Sequence, residues 1–77
     1  MDADEVKQKI ASQLKDCKVF VAGEGANYSV TVVGEIFRGL SRVKKQQLVY
    51  GCLAQDLSDG TIHALTIKAI TPDQWQA

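Results

Sequence analysis

Apolar residues recur along this chain at two spacings, one typical of helices and the other typical of strands. Val6, Ile10 and Leu14 recur every four residues, so the pattern predicts an amphipathic helix over residues 3–15. Asp2 stands at the N-cap position, where its side chain can accept a hydrogen bond from a free N–H of the first turn. The chain therefore opens with a helix that has one apolar face.

Two short strands are predicted after the first helix. Residues 17–22 are rich in residues that favour strands, and apolar and polar side chains alternate over residues 28–33. Between them, residues 24–27 read Glu-Gly-Ala-Asn, which is typical of a tight turn. The pattern predicts a β-hairpin.

A second helical region is predicted over residues 41–57. Ser41 is its expected N-cap, and apolar residues at helical spacing form an inner stripe. We expect Gly51 to mark a bend or a break into two helices, and residues 58–60 to end the region. The inner stripe consists of Val49, Cys52, Leu53 and Leu57.

A third strand and a short last helix close the chain. Residues 61–69 alternate, and His63, Leu65 and Ile67 share one face of the predicted strand. Residues 71–75, Thr-Pro-Asp-Gln-Trp, have the composition of a helix start, with proline at the first helical position.

The order of the elements predicts the class of fold. Helix, strand, strand, broken helix, strand and helix form an α+β sandwich, a three-stranded sheet with helices packed on one face. A length of 77 residues indicates one domain, residues 1–77, and an apolar fraction of 45% excludes a disordered chain. Tyr50 and Trp75 are expected in the core or as cap residues.

Charges are balanced in number but segregated along the chain. Nine basic and nine acidic residues give a formal net charge of zero, so the chain lacks the global basic field of many non-specific nucleic-acid binders. Four of the nine cations nevertheless lie within residues 38–45. They are Arg38, Arg42, Lys44 and Lys45.

Three of these cations fall in the first turn of the predicted second helix. A helix N-terminus already carries about half a positive charge, so each added cation costs roughly 0.3–1 kcal/mol at low salt. Folding alone would favour acidic residues at Arg42, Lys44 and Lys45. The positive charge at these positions indicates a surface that binds a negatively charged partner.

Cysteine usage and hydropathy indicate the compartment. Cys17 and Cys52 are too few for a zinc site, and no CxxC spacing is present. The first twenty residues lack the basic start and apolar run of a secretory signal, and no apolar run approaches the roughly 20 residues of a membrane span. We expect a soluble, reduced, cytoplasmic protein that does not associate with membranes.

No catalytic arrangement is identifiable. One histidine and scattered acidic residues offer no Ser/His/Asp, Cys/His or paired-carboxylate spacing, so no catalytic residue is assigned and an enzyme is not expected. Gly23 and Gly25 lie in the predicted hairpin rather than before a helix, which makes them a poor match to a phosphate loop.

Three motifs resemble the BolA family in order and spacing. They read FRGLSRVKKQQLVY at residues 37–50, GTIHALTIK at 60–68 and TPDQW at 71–75. The resemblance covers essentially the whole chain, and the first motif is most similar to the short bacterial branch called IbaG or YrbA. It implies a fold related to the class II KH domain, a role in stress response, and partnership with monothiol glutaredoxins, with or without a shared [2Fe-2S] cluster. The family is also linked to DNA binding and transcription control.

The resemblance implies that His63 is a ligand of the shared cluster. Imidazole replaces thiolate at one iron of Rieske-type centres, so the chemistry is sound. The residues alone leave a second interpretation open, in which His63 is a hydrogen-bonded structural histidine.

A second ligand is less evident. The family usually offers His or Cys from the loop between the first two strands, but residues 23–28 hold neither. Asn27 stands there instead, and an amide oxygen is a poor ligand for this iron. Cys17 is a further candidate metal ligand, with burial as a small apolar side chain as its alternative, and Cys52 is expected in the core.

The candidate partner-binding cations have three open interpretations. They form a solvated surface, dock an acidic partner, or contact nucleic-acid phosphates. The absence of a GxxG motif argues against KH-type recognition of single strands, and the few aromatic residues give weak support to base stacking. A helix-turn-helix-like use of residues 41–57 stays open. The cations are Arg38, Arg42, Lys44, Lys45 and Lys68.

The favoured hypothesis is a non-enzymatic adaptor that binds a monothiol glutaredoxin and takes part in [2Fe-2S] trafficking or iron sensing. The alternative is a nucleic-acid-binding transcriptional regulator that uses residues 42–45, and a third possibility is an interaction module without a cofactor. The isolated protein is expected to be a monomer, with a cluster only in the glutaredoxin complex.

Overall fold

A computed structural model describes residues 1–75 of the chain. The helices of this part are α1 (Ala3–Gln13), α2 (Arg42–Cys52), α3 (Ala54–Ser58) and α4 (Pro72–Trp75). The strands are β1 (Lys18–Glu24), β2 (Asn27–Val33) and β3 (Ala64–Ile70), and a 3₁₀ turn spans Glu35–Phe37 between β2 and α2. The order of helices and strands confirms the predicted α+β fold. In residues 1–75, every helix is too short or too polar to reach across a bilayer.

The sheet has β2 at its centre. β1 pairs with β2 antiparallel and β3 pairs with it parallel. Two antiparallel strands can share a tight turn, whereas a parallel pair needs a long crossover connection. α2 and α3 lie within that connection and bring the chain back to the hairpin end of the sheet.

The core lies between one face of the sheet and helices α1 and α2. Its side chains alternate along β1 and β2, as expected for a sheet with one covered face. The fully buried residues at its centre are Val6, Ile10, Val32, Phe37, Val49 and Leu53.

Both predicted N-caps are present. The N–H of Glu5 donates to Oδ1 of Asp2 over 2.9 Å, and the N–H of Lys44 donates to Oγ of Ser41 over 3.2 Å. Each bond satisfies one N–H that the first turn of a helix leaves free. α1 then ends at Gln13, two residues before its predicted end.

The break in the second helical region falls at Leu53 rather than at Gly51. Leu53 leaves helical geometry with φ −121° and ψ 17°, and its side chain is fully buried. Gly51 remains helical and exposed. The chain thus turns where a large apolar side chain enters the core, and the glycine does not cause the break.

α3 carries a buried carboxylate that the sequence did not single out. Asp56 is 7% exposed, and both of its oxygens lie within 2.9 Å of Nζ of Lys9 on α1. Its main-chain carbonyl accepts from the N–H of Ile62, which is itself buried. This bond holds residues 61–63 against the end of α3, so β3 begins at Ala64 and not at residue 61.

The face of the sheet opposite the core carries an aromatic pair. The rings of Phe20 on β1 and Trp75 on α4 stack with their centroids 4.8 Å apart and 19° between their planes. Phe20 is 44% exposed and Trp75 is 43% exposed. Trp75 therefore lies outside the core, as does Tyr50, which is 39% exposed, so of the two predicted alternatives, core or cap, the core is wrong for both residues. Helices α1 and α2 share one face, whereas Trp75 reaches the other.

Gly23 is the position in β1 where a side chain fits least well. Its φ is +124°, and a Cβ there would collide with the carbonyl oxygen of Asn27 and lie 2.9 Å from Cα of Tyr28. We expect Gly23→Ala to lower the free energy of unfolding by about 1–3 kcal/mol, measured by urea denaturation.

Gly51→Ala is the matched control for this prediction. Gly51 is helical and has nothing within 4 Å of the position of an added Cβ. Alanine there should raise the free energy of unfolding by roughly 0.5–1 kcal/mol, because glycine is less favourable inside a helix. Equal shifts in the two variants would contradict the assigned backbone conformations.

Candidate functional site

His63 lies at the hairpin end of the sheet, immediately before β3. Its N–H donates to the carbonyl of Ala26 over 2.8 Å, and the N–H of Ala64 donates to the same oxygen over 3.2 Å. These two bonds fix the main chain of His63 against the hairpin turn. The side chain is exposed, and its imidazole forms no hydrogen bond with any residue in the described part of the chain.

The hairpin turn, where the resemblance implies a second ligand, is the neighbour of His63. Asn27 opposes Ala64 in the register of β2 and β3. In residues 1–75, no three His, Cys, Asp or Glu side chains come together in a way that could hold a metal ion. A [2Fe-2S] cluster needs four ligand atoms, and at this end of the sheet His63 supplies one imidazole.

Cys17 lies at the opposite end of the sheet from His63. It precedes Lys18, which opposes Val33, whereas His63 precedes the other end of β3. A seven-residue strand at about 3.3 Å per residue separates the two side chains by roughly 20 Å. Cys17 and His63 are therefore not brought together and cannot bind one metal centre within a single chain.

Both thiols are packed rather than exposed for chemistry. Sγ of Cys17 lies against Gly34, where an added Cβ would collide with it, and burial together with the charge of Asp16 raises the pKa of this thiol. Cys52 is buried, its thiol donates to the carbonyl of Leu48 over 3.4 Å, and burial raises its pKa also. Raised pKa values leave both cysteines protonated and weakly nucleophilic at neutral pH.

Three of the predicted cations converge on one groove. Arg42 and Lys45 of α2 and Lys68 of β3 line a space of about 300 Å³ between α2, β3 and α4, which we call the β3 groove. None of the three forms an ion pair with another described residue, and the lining includes no carboxylate. The complete lining is Arg42, Lys45, Gln46, Ile67, Lys68, Ala69, Ile70 and Gln74.

Lys44 belongs to a different surface. Successive residues of a helix point about 100° apart, so Lys44 and Lys45 diverge. Lys44 lines a separate shallow depression with Leu40, Gln47 and Leu48. The cationic motif therefore contributes to two surfaces of α2, not to one.

Arg38 is engaged within the protein. Its guanidinium donates to both oxygens of Glu35 over 2.7 Å and to Oδ1 of Asp73 over 2.6 Å. This network ties the 3₁₀ turn to α4. Arg38, one of the predicted partner-binding cations, takes part in an exposed ion-pair network within the chain because Asp73, distant in sequence, lies beside it.

Gln46 and Gln74 are groove residues that the sequence reading did not include. Gln46 follows Arg42 by four residues, so helical spacing alone places both on one side of α2. Gln74 carries no such signal, since its place depends on how α4 docks. Its Oε1 also accepts from the N–H of Thr71 over 3.0 Å, which fixes the first turn of α4.

The fold and these motifs define the class of protein. A family model described as BolA-like protein matches residues 4–74, and the chain belongs to this family. The acid stress protein IbaG of Escherichia coli K12 is 45% identical over 75 residues, covering 97% of this chain and 89% of the relative. This similarity confirms the resemblance to the short bacterial branch.

Solved structures agree with the family assignment. A bolA protein homologue from Coxiella burnetii superposes with a TM-score of 0.87 at 28% identity, covering 100% of this chain and 99% of the other. BolA1 from Arabidopsis thaliana gives a TM-score of 0.79 at 28% identity, covering 94% and 93% of the two chains. The α+β architecture is thus the BolA-like fold.

The ion pairs of α4 predict an acid-sensitive contact. Hydrogen bonds from Thr71 and Arg38 lower the pKa of Asp73, and Arg38 lowers the pKa of Glu35. A lowered carboxyl pKa stabilises the folded form fully above the ordinary value of about 4, and this stabilisation is lost as the pH falls through the lowered value. We expect the fluorescence of Trp75, the only tryptophan, to report release of α4 below about pH 4 at low salt.

Arg38→Gln tests the cause of that change. The acid-dependent change in Trp75 fluorescence should be absent or much reduced in this variant, because no guanidinium remains to be released. Lys9→Gln, which removes an ion pair elsewhere, should retain the change. An identical acid response in Arg38→Gln and the unmodified protein would show that these pairs do not hold α4.

Proposed function

We propose that this BolA-family chain is a non-enzymatic adaptor that binds a monothiol glutaredoxin and contributes His63 to a [2Fe-2S] cluster carried between the two proteins. The observation that supports it is the combination of a fixed main chain and a free side chain at His63. The N–H groups of His63 and Ala64 both donate to the carbonyl of Ala26 and anchor the main chain. The exposed imidazole keeps both of its nitrogens available to an incoming metal centre.

The remaining ligands belong to the partner in this proposal. A [2Fe-2S] cluster needs four ligand atoms, and thiolates are its usual ligands. Asn27, beside the site, supplies an amide in place of a stronger ligand. A cluster held on this side by a single imidazole is expected to exchange readily, which suits trafficking or sensing better than storage.

Co-purification with a monothiol glutaredoxin tests this proposal. We expect the wild-type pair to show the visible absorption bands of a [2Fe-2S] cluster, and the pair with His63→Ala to show a changed spectrum and faster loss of the cluster to a chelator. Thr61→Ala, an exposed change two residues away, is the matched control and should leave both unchanged. The same spectrum and lifetime in wild type and His63→Ala would exclude His63 as a ligand.

Asn27→Cys provides a gain-of-ligand version of the same experiment. A thiolate beside His63 should bind iron much better than the amide, so the shared cluster should survive a chelator several times longer. The complex should still form in this variant. No gain in lifetime would indicate that the hairpin turn does not face the cluster.

Nucleic-acid binding is the second candidate function, and the β3 groove is the observation that favours it. Arg42, Lys45 and Lys68 come from two elements and line one groove, and its lining residues include no carboxylate. Cations grouped in this way neutralise phosphates and release counterions, so binding weakens steeply with salt.

Titration of duplex DNA at several salt concentrations tests this candidate. We expect binding at low salt with a log–log slope that falls by about 2 in the double variant Arg42→Ala/Lys45→Ala, since each phosphate contact contributes about 0.9. Lys44→Ala should change the slope by less than either groove residue. Absence of binding at low salt would rule out this function.

A further inference from the structure

β3 has an edge that no other strand of residues 1–75 covers. In the order β1-β2-β3 it is the last strand, and it pairs only with β2. The exposed edge of a strand presents N–H and C=O groups on which another chain can add as a strand. Proteins usually protect such edges, so an open edge is a possible binding surface.

The hydrogen bonds at the two ends of β3 show which residues face outward. The N–H of Ala64 donates towards the hairpin, and the carbonyl of Ile70 accepts from the N–H of Gly34 over 2.9 Å. Main-chain groups alternate in direction along a strand, so those of residues 64, 66, 68 and 70 point to β2. The groups of Leu65, Ile67 and Ala69 point away from β2, and no residue in the described part of the chain bonds to them.

This free edge forms one side of the β3 groove. Ile67, Lys68, Ala69 and Ile70 are four consecutive lining residues, and Arg42, Lys45 and Gln46 of α2 face them. The side chains of Ile67 and Ile70 are half-buried and offer apolar contacts. The groove therefore combines unpaired main-chain groups, apolar contacts and three cations without an ion pair among the described residues, two on the side of α2 and one on the other side of the strand edge.

We propose that the β3 groove binds an extended acidic segment of a partner protein, which adds to β3 as a fourth strand. Its main chain bonds to the outward groups of Ile67 and Ala69, and its carboxylates meet Arg42, Lys45 and Lys68. This is β-strand addition, in which main-chain bonds supply affinity and side chains supply specificity. The proposal uses neither His63 nor a cluster, and it holds whichever partner His63 serves.

Geometry and charge favour an acidic peptide over a nucleic-acid strand or a second copy of this chain. A nucleic-acid strand has phosphates for the three cations but no repeating donors and acceptors that match the edge of a strand. A second copy of this chain, paired β3 to β3, would bring its own Lys68 and Arg42 against the same cations, and like charges across strands are destabilising. An acidic peptide satisfies both the main chain and the charges.

Side chains of an added strand point alternately to the two faces of the sheet, and the three cations of the β3 groove are likewise divided between those faces. Arg42 and Lys45 lie on the side of α2, whereas Lys68 lies on the opposite face of the sheet, in the same cross-strand row as Phe20 and Thr31. The preferred segment therefore has pairs of adjacent acidic residues, and a single apolar residue between the pairs contacts Ile67.

The probe for the experiment is the synthetic peptide acetyl-Glu-Glu-Ile-Glu-Glu-Val-Glu-amide, titrated into the full chain and followed by amide NMR signals and by hydrogen exchange. We expect the outward amides of Ile67 and Ala69 to exchange about tenfold more slowly with bound peptide. The amides of Lys68 and Ile70, which already face β2, should change little.

Two control peptides separate main-chain pairing from charge. The same peptide with N-methyl groups on alternate residues keeps every carboxylate but cannot form the ladder, and it should bind about tenfold more weakly. The peptide with Gln at each Glu position keeps the ladder and loses the charges, and it should bind more weakly as well. Equal binding of the N-methylated and parent peptides would overturn strand addition.

Adjacent lysines supply a matched pair of protein variants. Lys45→Glu should weaken binding of the acidic peptide about tenfold, and Lys44→Glu, with the same change in net charge on the other side of α2, should weaken it less than about threefold. Ala69→Pro removes one outward N–H and leaves the bonds to β2 intact, because an edge strand tolerates proline where the N–H faces solvent. This variant should also bind the acidic peptide more weakly.

Several results would contradict the proposal. Equal losses in Lys44→Glu and Lys45→Glu would indicate attraction by net charge only. Tighter binding of an oligothymidylate of equal charge, or a β3-paired dimer without peptide, would assign the groove to nucleic acid or to a second copy. Because His63→Ala should bind the acidic peptide as the unmodified protein does, failure here and failure of the cluster proposal are distinguishable.

Discussion

The parallel pairing of β3 with β2 is the constraint on which the rest of the structure depends. β2 ends at one end of the sheet and β3 begins at the other, so the chain has to travel back across the sheet. α2 and α3 make that return, and burial of Val49 and Leu53 holds the connection against the core. One consequence is that the cationic start of α2 lies beside the last half of β3, while His63 lies beside the hairpin.

The cations of the chain fall into two groups, those paired with a carboxylate and those left unpaired among the described residues. Arg38 is neutralised by two carboxylates, and Lys9 is matched to the buried Asp56. Arg42 and Lys45, by contrast, remain unpaired in the described part of the chain although the helix start makes them unfavourable by a few tenths of a kcal/mol or more each. The paired cations stabilise the fold, whereas the unpaired cations remain available to a partner.

Local signals in the sequence predicted most elements, because caps and periodicity depend on neighbouring residues. Asp2 and Ser41 cap their helices, and the hairpin turn lies where glycine was expected. The errors involve distant contacts. The break falls at Leu53 because the core takes up its side chain, and the ion pair of Arg38 with Asp73 has no signal in the sequence because the two residues are far apart along the chain. The free edge of β3 follows only from the order of the strands. The candidate site was predicted as a set of residue types, and the structure divided that set among separate surfaces.

β3 also determines a distance. His63 precedes the strand, and Lys68 follows five residues later, which at about 3.3 Å per residue places the two roughly 16 Å apart. Under the two proposals, a protein that contacts both positions at once presents a metal-binding group and an acidic segment with that separation. Under the same proposals, the backbone of β3 fixes the spacing that a partner has to match, independently of the strength of either contact.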